Sequence, residues 1–199
     1  MKLILIRHGK TEANEKHLYC GKTDLPLSSA GREELKVRKT VVRYPDPAGM
    51  SILTSGMKRC EETLAILWGN VPHSTDFRFR EMDLGKFEMH SYEELKEDSE
   101  YLAWITGDNE SNVTPGGESG KMMTERVLEG LNDLLASGQD ALLITHGGVI
   151  AAIMSHLFPN EGKNRYEWQP APGDGYVMDL PGQTYESLQK ETSQDSQKL

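Results

Sequence analysis

Apolar and polar positions along the chain alternate between strand-like and helix-like spacing. An apolar run, Leu3-Ile4-Leu5-Ile6, opens the chain and stops abruptly at Arg7-His8-Gly9. It predicts a buried strand over residues 2–6. Leu18 to Leu27 is rich in Gly, Thr, Asp and Pro and reads as a loop. From about Ser28 a helix is predicted, capped by Ser28 or Ser29, with Leu35, Val37, Val41 and Val42 on its apolar side. Tyr44-Pro45-Asp46-Pro47 breaks it. Ser51-Ile52-Leu53-Thr54 predicts a second strand, and Met57, Cys60, Leu64 and Leu67 recur at helical spacing after it. His73 to Phe79 alternates weakly and predicts a further strand.

A charged segment follows, with one or two short acidic amphipathic helices expected between Ser91 and Thr106. Pro115-Gly116-Gly117-Glu118-Ser119 punctuates the chain and starts a long helix bearing Met123, Val127, Leu131, Leu134 and Leu135. Ala141-Leu142-Leu143-Ile144-Thr145 is a continuous apolar run of the kind found in central parallel strands. His146-Gly147-Gly148 ends it, and Val149 to Leu157 continues as a buried helix. Tyr176, Met178 and Leu180 alternate as a last strand. Strands and helices in this order imply an α/β fold, a three-layer αβα sandwich with a mostly parallel central sheet. One domain is expected over residues 1–182, with a small helical lid inserted at about 80–114. Residues 183–199 are expected to form a frayed polar tail.

Composition narrows this further. The chain has 199 residues, enough for one sizeable core, and a formal net charge of -9. That acidic balance argues against nucleic acid as a partner, and an anionic small molecule would need a local positive pocket. No apolar run is long enough to span a bilayer, and Met1-Lys2 leads straight into a strand with no signal-like stretch. A cytoplasmic protein without a membrane partner is therefore expected, as a monomer or homodimer. Cys20 and Cys60 offer neither a disulfide framework nor zinc spacing and are expected to be reduced packing residues.

Three strand ends carry unusual polar side chains: Arg7 and His8, then Ser55 leading to Arg59, then His146 followed by two glycines. In a parallel sheet these ends converge on one crevice. The chemistry they fit is phosphoryl transfer, in which equatorial oxygens must be held and their charge neutralised. Arg7 and Arg59 can present bidentate forks, while His8 and His146 can divide the roles of nucleophile and electrostatic partner. The N–H groups of Gly147 and Gly148 would add positive dipole. With arginines and an imidazolium supplying charge, neither a metal nor a cofactor is expected. Glu81 is a candidate proton donor for the leaving alkoxide; the alternative is a surface carboxylate paired with Arg78 or Arg80. Tyr92, Tyr101 and Trp104 in the lid can either stack on a ligand ring or close a small helical core.

Arg7-His8-Gly9-Lys10-Thr11-Glu12-Ala13-Asn14 resembles the R-H-G-x-[TS]-x-x-N signature of the histidine phosphatase superfamily, in its phosphoglycerate-mutase-like branch. Gly21 to Ser28 with Gly31, Ser55 to Thr63, Glu81 with Gly85, Phe87 and Glu88, Pro115 to Ser119, and Thr145 to Gly148 resemble further family segments in the family's order. The resemblance implies that His8 is a nucleophile forming phosphohistidine and that Arg7, Arg59 and His146 bind the phosphoryl group. It also implies that Asn14, Gly21, Lys22 and Thr23 help hold that group and that Glu81 is general acid, then base. Lys10, Gly56, Cys60 and Met89 depart from the usual Glu, Pro, Ala and Gly; Lys10 and Met89 are expected to alter the lid or substrate fit. The segment from Leu18 to Leu27 is most similar to α-ribazole phosphatases, so α-ribazole 5'-phosphate is an expected substrate. A broad-specificity sugar-phosphate phosphatase, a cofactor-dependent phosphoglycerate mutase and a non-catalytic phosphate-binding module are the alternatives.

Overall fold

The continuous apolar run Ala141–Thr145 is fully buried and forms β4, the strand from which the sheet is best described. In the computed structural model, β4 lies between β1 (Lys2–Arg7) and β2 (Ser51–Thr54), parallel to both. β2 also pairs in parallel with the two-residue β3 (Ser74–Thr75). On the other side β5 (Gly175–Asp179) runs antiparallel to β1, and β6 (Thr184–Ser187) antiparallel to β5. The order is β3-β2-β4-β1-β5-β6. The described residues are 1–108, 110–180 and 182–188.

Helices cover both faces, as the unbroken apolar strands demand. Alternate residues of β1 divide between them. Ile4 and Ile6 pack with Leu35, Cys60 and Leu64 from α2 (Ser29–Val41) and α3 (Lys58–Trp68). Leu3 and Leu5 pack with Met123, Val127, Ile150 and Met154 from α6 (Gly120–Ser137) and α7 (Gly147–Leu157). Ser28 and Ser119 cap α2 and α6 by accepting the N–H of Gly31 and Met122. Arg7 and Thr145 are register partners across β1 and β4, so the two strands end level.

The helical insertion is present. Asn14 closes the capping box of the one-turn α1 (Glu12–Glu15), and α4 (Tyr92–Leu95) and α5 (Ser99–Ile105) lie in the insertion. Phe87, Leu95 and Tyr101 form a separate small core there, joined by Tyr19, Leu84 and Trp104. Tyr101 is therefore core, whereas Tyr92 is exposed.

Three sequence expectations change. Val37 is 63% exposed, so the apolar side of α2 is carried by Leu35 and Val42. Residues 73–79 form only β3 and a 3-10 turn over Phe77–Phe79, because Asp76 bonds the N–H of Arg78 and turns the chain. The region after Gly182 is not wholly a frayed tail: Tyr176 and Met178 of β5 pair with Ser187 and Tyr185. Residues 189–199 lie outside the described residues. No helix among the described residues is long and apolar enough to cross a membrane.

Candidate active site

The level ends of β1 and β4 put the first residue beyond each strand side by side. His8 and His146 meet edge to face, with ring centroids 5.1 Å apart. His8 donates its backbone N–H to the Thr145 carbonyl at 3.0 Å. Thr63 on α3 fixes the next residue, accepting the Gly9 N–H at 3.0 Å and donating to the Arg59 carbonyl at 2.7 Å. Ring tautomers follow from the partners. His8 Nδ1 lies 2.7 Å from the Gly9 carbonyl, which can only accept, so Nδ1 carries the proton and Nε2 keeps its lone pair. His146 Nδ1 accepts from Arg59 Nε at 3.2 Å, so its proton sits on Nε2, facing Ser55 Oγ at 2.9 Å.

His8 and His146 are almost wholly buried, at 6% and 0% exposure, and Arg59 is 1% exposed. Burial first, then the Arg59 guanidinium, holds both imidazoles well below the usual histidine range; Arg7 adds to this at both. His146 is thus a neutral imidazole, not the imidazolium expected from sequence, and the positive charge resides on the arginines. Arg59 donates Nη1 to the Thr23 carbonyl at 2.8 Å and Nη2 to the Gly21 carbonyl at 2.7 Å. With Nε on His146, its remaining N–H groups are what it can offer a phosphoryl oxygen. Arg7 donates to the Pro170 carbonyl at 2.8 Å, and its buried Nε has no partner.

Glu81 does not pair with Arg78 or Arg80. Arg78 engages Asp76 and Asp133, and Arg80 Nε donates to the Ser55 carbonyl. Glu81 instead accepts the N–H groups of Met82 at 3.0 Å and Gly148 at 2.9 Å. The Gly148 N–H is therefore directed at Glu81, and the helix N-terminus it opens is partly used by the protein itself. Arg126 braces this segment from α6: it donates to the carbonyls of Arg78, Arg80 and Glu81 and forms a bidentate pair with Glu118.

Arg7, Asn14, Glu81 and Gly148 line a cleft of about 330 Å³, with Leu18, Tyr19, Cys20, Met82, Leu84, Trp104, Arg165, Tyr166 and Gln169. His8, His146 and Arg59 are buried and are not among its lining residues. Asn14 Oδ1 is occupied by the N–H and hydroxyl of Thr11, which leaves its amide N–H groups for the cleft. A Cβ on Gly147 would lie 3.1 Å from Arg7 Cζ and 3.0 Å from Gln169 Oε1, which places that backbone against the same wall.

Gly21, Lys22 and Thr23 are arranged differently from the sequence expectation. Their N–H groups donate to the Glu88 carboxylate at 2.9–3.2 Å, as does the Thr23 hydroxyl at 2.6 Å. Lys22 Nζ pairs with Asp83. The loop thus turns its N–H groups to Glu88 and its carbonyls to Arg59. Gly21 is required by crowding, since a Cβ there would fall 1.6 Å from the Met82 carbonyl oxygen. Lys10 pairs with Glu34 on the surface and does not line the cleft. Among the described residues no three His, Cys, Asp or Glu side chains gather as a metal-ligand set. Cys60 is buried under His146, and its thiol is pushed up to about 12 by burial.

Sequence reasoning missed the roles of Glu88, Arg126, Arg165 and Gln169. Glu88 was visible only as part of a motif. Arg165 and Gln169 fall in an aperiodic stretch between α7 and β5, where only its position beyond a sheet edge signals function.

The chain as a whole has counterparts among known proteins. The sequence pattern of the histidine phosphatase superfamily (branch 1) matches residues 3–189. The chain belongs to that superfamily, and a phosphatase is the class of enzyme that membership defines. The adenosylcobalamin/alpha-ribazole phosphatase of Salmonella typhimurium is 30% identical over 186 residues, covering 90% of this chain and 91% of that protein. The crystal structure of the alpha-ribazole phosphatase from Shigella flexneri superposes with a TM-score of 0.79 at 25% identity, covering 97% of this chain and 96% of that one. A phosphoglycerate mutase structure from Thermus thermophilus gives 0.72 at 29% identity, covering 96% of this chain and 100% of that one.

Proposed function

We propose that the protein is a phosphomonoesterase working through a phosphohistidine on His8, needing no metal, and acting on a small phosphorylated metabolite in the cytoplasm. The observation that carries this reading is the placement of His8 Nδ1 2.7 Å from the Gly9 carbonyl. The bond of Nδ1–H to the Gly9 carbonyl leaves Nε2 with a free lone pair, and burial beside Arg59 keeps the ring neutral. A neutral imidazole held in one orientation is the nucleophile this reaction needs.

In the proposed cycle His8 Nε2 forms a bond to phosphorus as the ester P–O bond breaks. The proton on Glu81 goes to the leaving alkoxide. Water then attacks phosphorus, giving its proton back to Glu81, and the N–P bond breaks to release inorganic phosphate. Arg7 and Arg59 neutralise the equatorial oxygens, Asn14 offers an amide N–H, and His146 donates once its hydrogen bond to Ser55 is exchanged for a phosphoryl oxygen. The expected substrate is α-ribazole 5'-phosphate, the reading supported by the names of the relatives above and by an aromatic cleft wall of Tyr19, Trp104 and Tyr166.

Turnover of p-nitrophenyl phosphate in EDTA, followed by a substrate panel, tests this. Hydrolysis that is lost in His8→Ala, with a phosphoryl mass increment on wild type after alkaline quench, is the expected result. Isomerisation of 3-phosphoglycerate stimulated by bisphosphoglycerate would instead indicate a mutase. Tight phosphate binding with no turnover on any ester would indicate a binding module.

A further inference from the structure

Only two basic side chains line the cleft among the described residues, Arg7 near the histidine pair and Arg165 from the segment between α7 and β5. Arg165 is already neutralised. Its guanidinium pairs with Glu110 of the insertion, and both side chains are partly buried. The pair stands at a partition. Arg165 and Gly148 line both the cleft and an adjoining hollow of about 350 Å³, whose wall includes Glu110, Met123, Leu128, Ala151 and Ala152. The other nearby ammonium, on Lys22, is held by Asp83 outside the lining.

From this arrangement we infer that Glu110 sets specificity: by cancelling Arg165 it makes the leaving-group part of the cleft select uncharged alcohols and reject those bearing a carboxylate. The inference rests on the phosphomonoesterase reading and narrows its substrate class. A carboxylate entering beside Leu18, Tyr19, Leu84 and Trp104 loses hydration and meets no cation of its own, since Arg7 serves the phosphoryl group and Arg165 is paired, while Glu110 adds repulsion. A sugar or nucleoside hydroxyl group loses less and can exchange water for Gln169 or the Tyr166 hydroxyl. Glu110 acts through Arg165 and is a positioning residue, not a catalytic one.

A matched pair of esters isolates the effect: glycerol 3-phosphate and 3-phosphoglycerate differ chiefly by a CH2OH in place of a carboxylate. Wild type is expected to favour glycerol 3-phosphate by about tenfold or more in kcat/KM. Glu110→Gln keeps the size and frees the guanidinium, so 3-phosphoglycerate should improve about tenfold relative to glycerol 3-phosphate, less at high salt. Adding Arg165→Met to Glu110→Gln should remove that gain, which mere loosening of the insertion would not do. An unchanged ratio in Glu110→Gln, or a wild type that prefers 3-phosphoglycerate, overturns the inference. Calorimetric titration of both esters into His8→Ala protein gives the same ratio as affinities. No turnover with that affinity ratio present defeats the phosphatase reading alone; turnover with the ratio absent defeats this one alone.

Discussion

His8 and His146 are kept neutral by the same two causes, burial and the charge of Arg59, which bears directly on pH dependence. A pH profile of kcat/KM reports the free enzyme, so the acid limb due to His8 should fall below its ordinary value of 6.5. A midpoint at or above that value would show that His8 is not the group being titrated. Met89 is the other residue whose geometry makes a prediction. Its φ is 62°, in the left-handed region that costs a side chain free energy, where the family pattern carries Gly. Met89→Gly should raise stability by about 0.5–1 kcal/mol, read as a urea midpoint shift. Gly56 shows the converse: at φ 72° it occupies a turn that the usual proline could not adopt. At this scale the identity of the strand-end residues was legible, because Arg7, His8, Arg59 and His146 are costly to bury without purpose. Their tautomers and charge states were not, since these depend on carbonyls at Gly9, Gly21 and Thr23 that only the folded loop supplies.

The segment from Leu18 to Thr23 behaves as one element held from both sides, by Glu88 through its N–H groups and by Arg59 through its carbonyls. Met89 adds a third tie, donating its N–H to the Tyr19 carbonyl at 2.7 Å. Glu88→Ala should release the loop, costing about 2–3 kcal/mol in chemical denaturation and on the order of a hundredfold in kcat as Arg59 and His146 lose their alignment. Unchanged kcat would mean that the loop does not position Arg59. Arg126 is the corresponding brace for Glu81. Arg126→Met should remove a guanidinium from three carbonyls and from Glu118, which keeps only the Asp83 N–H, lowering stability by about 2–3 kcal/mol and kcat with it, while KM changes little. Elements with a strong period were legible: β4, α3 and α6 lie where their apolar spacing put them. The weak ones were not. His73 to Phe79 alternates, yet the Asp76 side chain cuts the strand short. Thr184–Ser187 is a mostly exposed edge strand, so no apolar face announced it.

For the whole molecule, two buried neutral histidines make acid a destabilising agent. Below pH 6.5 the unfolded chain binds protons that the folded chain refuses, because both folded values are lowered. Stability is therefore full above pH 6.5 and falls as pH drops toward the lowered values. His73, raised by the Val71 carbonyl and by Glu61, opposes this in part, since its contribution is present at low pH and lost as pH rises. It is largely exposed, so the net slope should keep the sign set by His8 and His146. Denaturation midpoints from pH 7 to pH 5 check this, and a flat profile would mean that the pair is not neutral in the fold. The architecture itself was legible because strand and helix periods alternate cleanly along the chain. The way the insertion packs was not, because it depends on Phe87, Leu95 and Tyr101 finding one another.

The level ending of β1 and β4 has one more consequence. Neighbouring strands lie about 4.8 Å apart by backbone hydrogen bonding alone. The two imidazoles, each one residue past a register pair, stand 5.1 Å apart for that reason. The spacing of the two rings is thus set first by the backbone, while side chains of the insertion such as Glu88 act on their orientation through Arg59. Side chains lining the cleft can therefore vary while the strand spacing beneath the two imidazoles stays fixed.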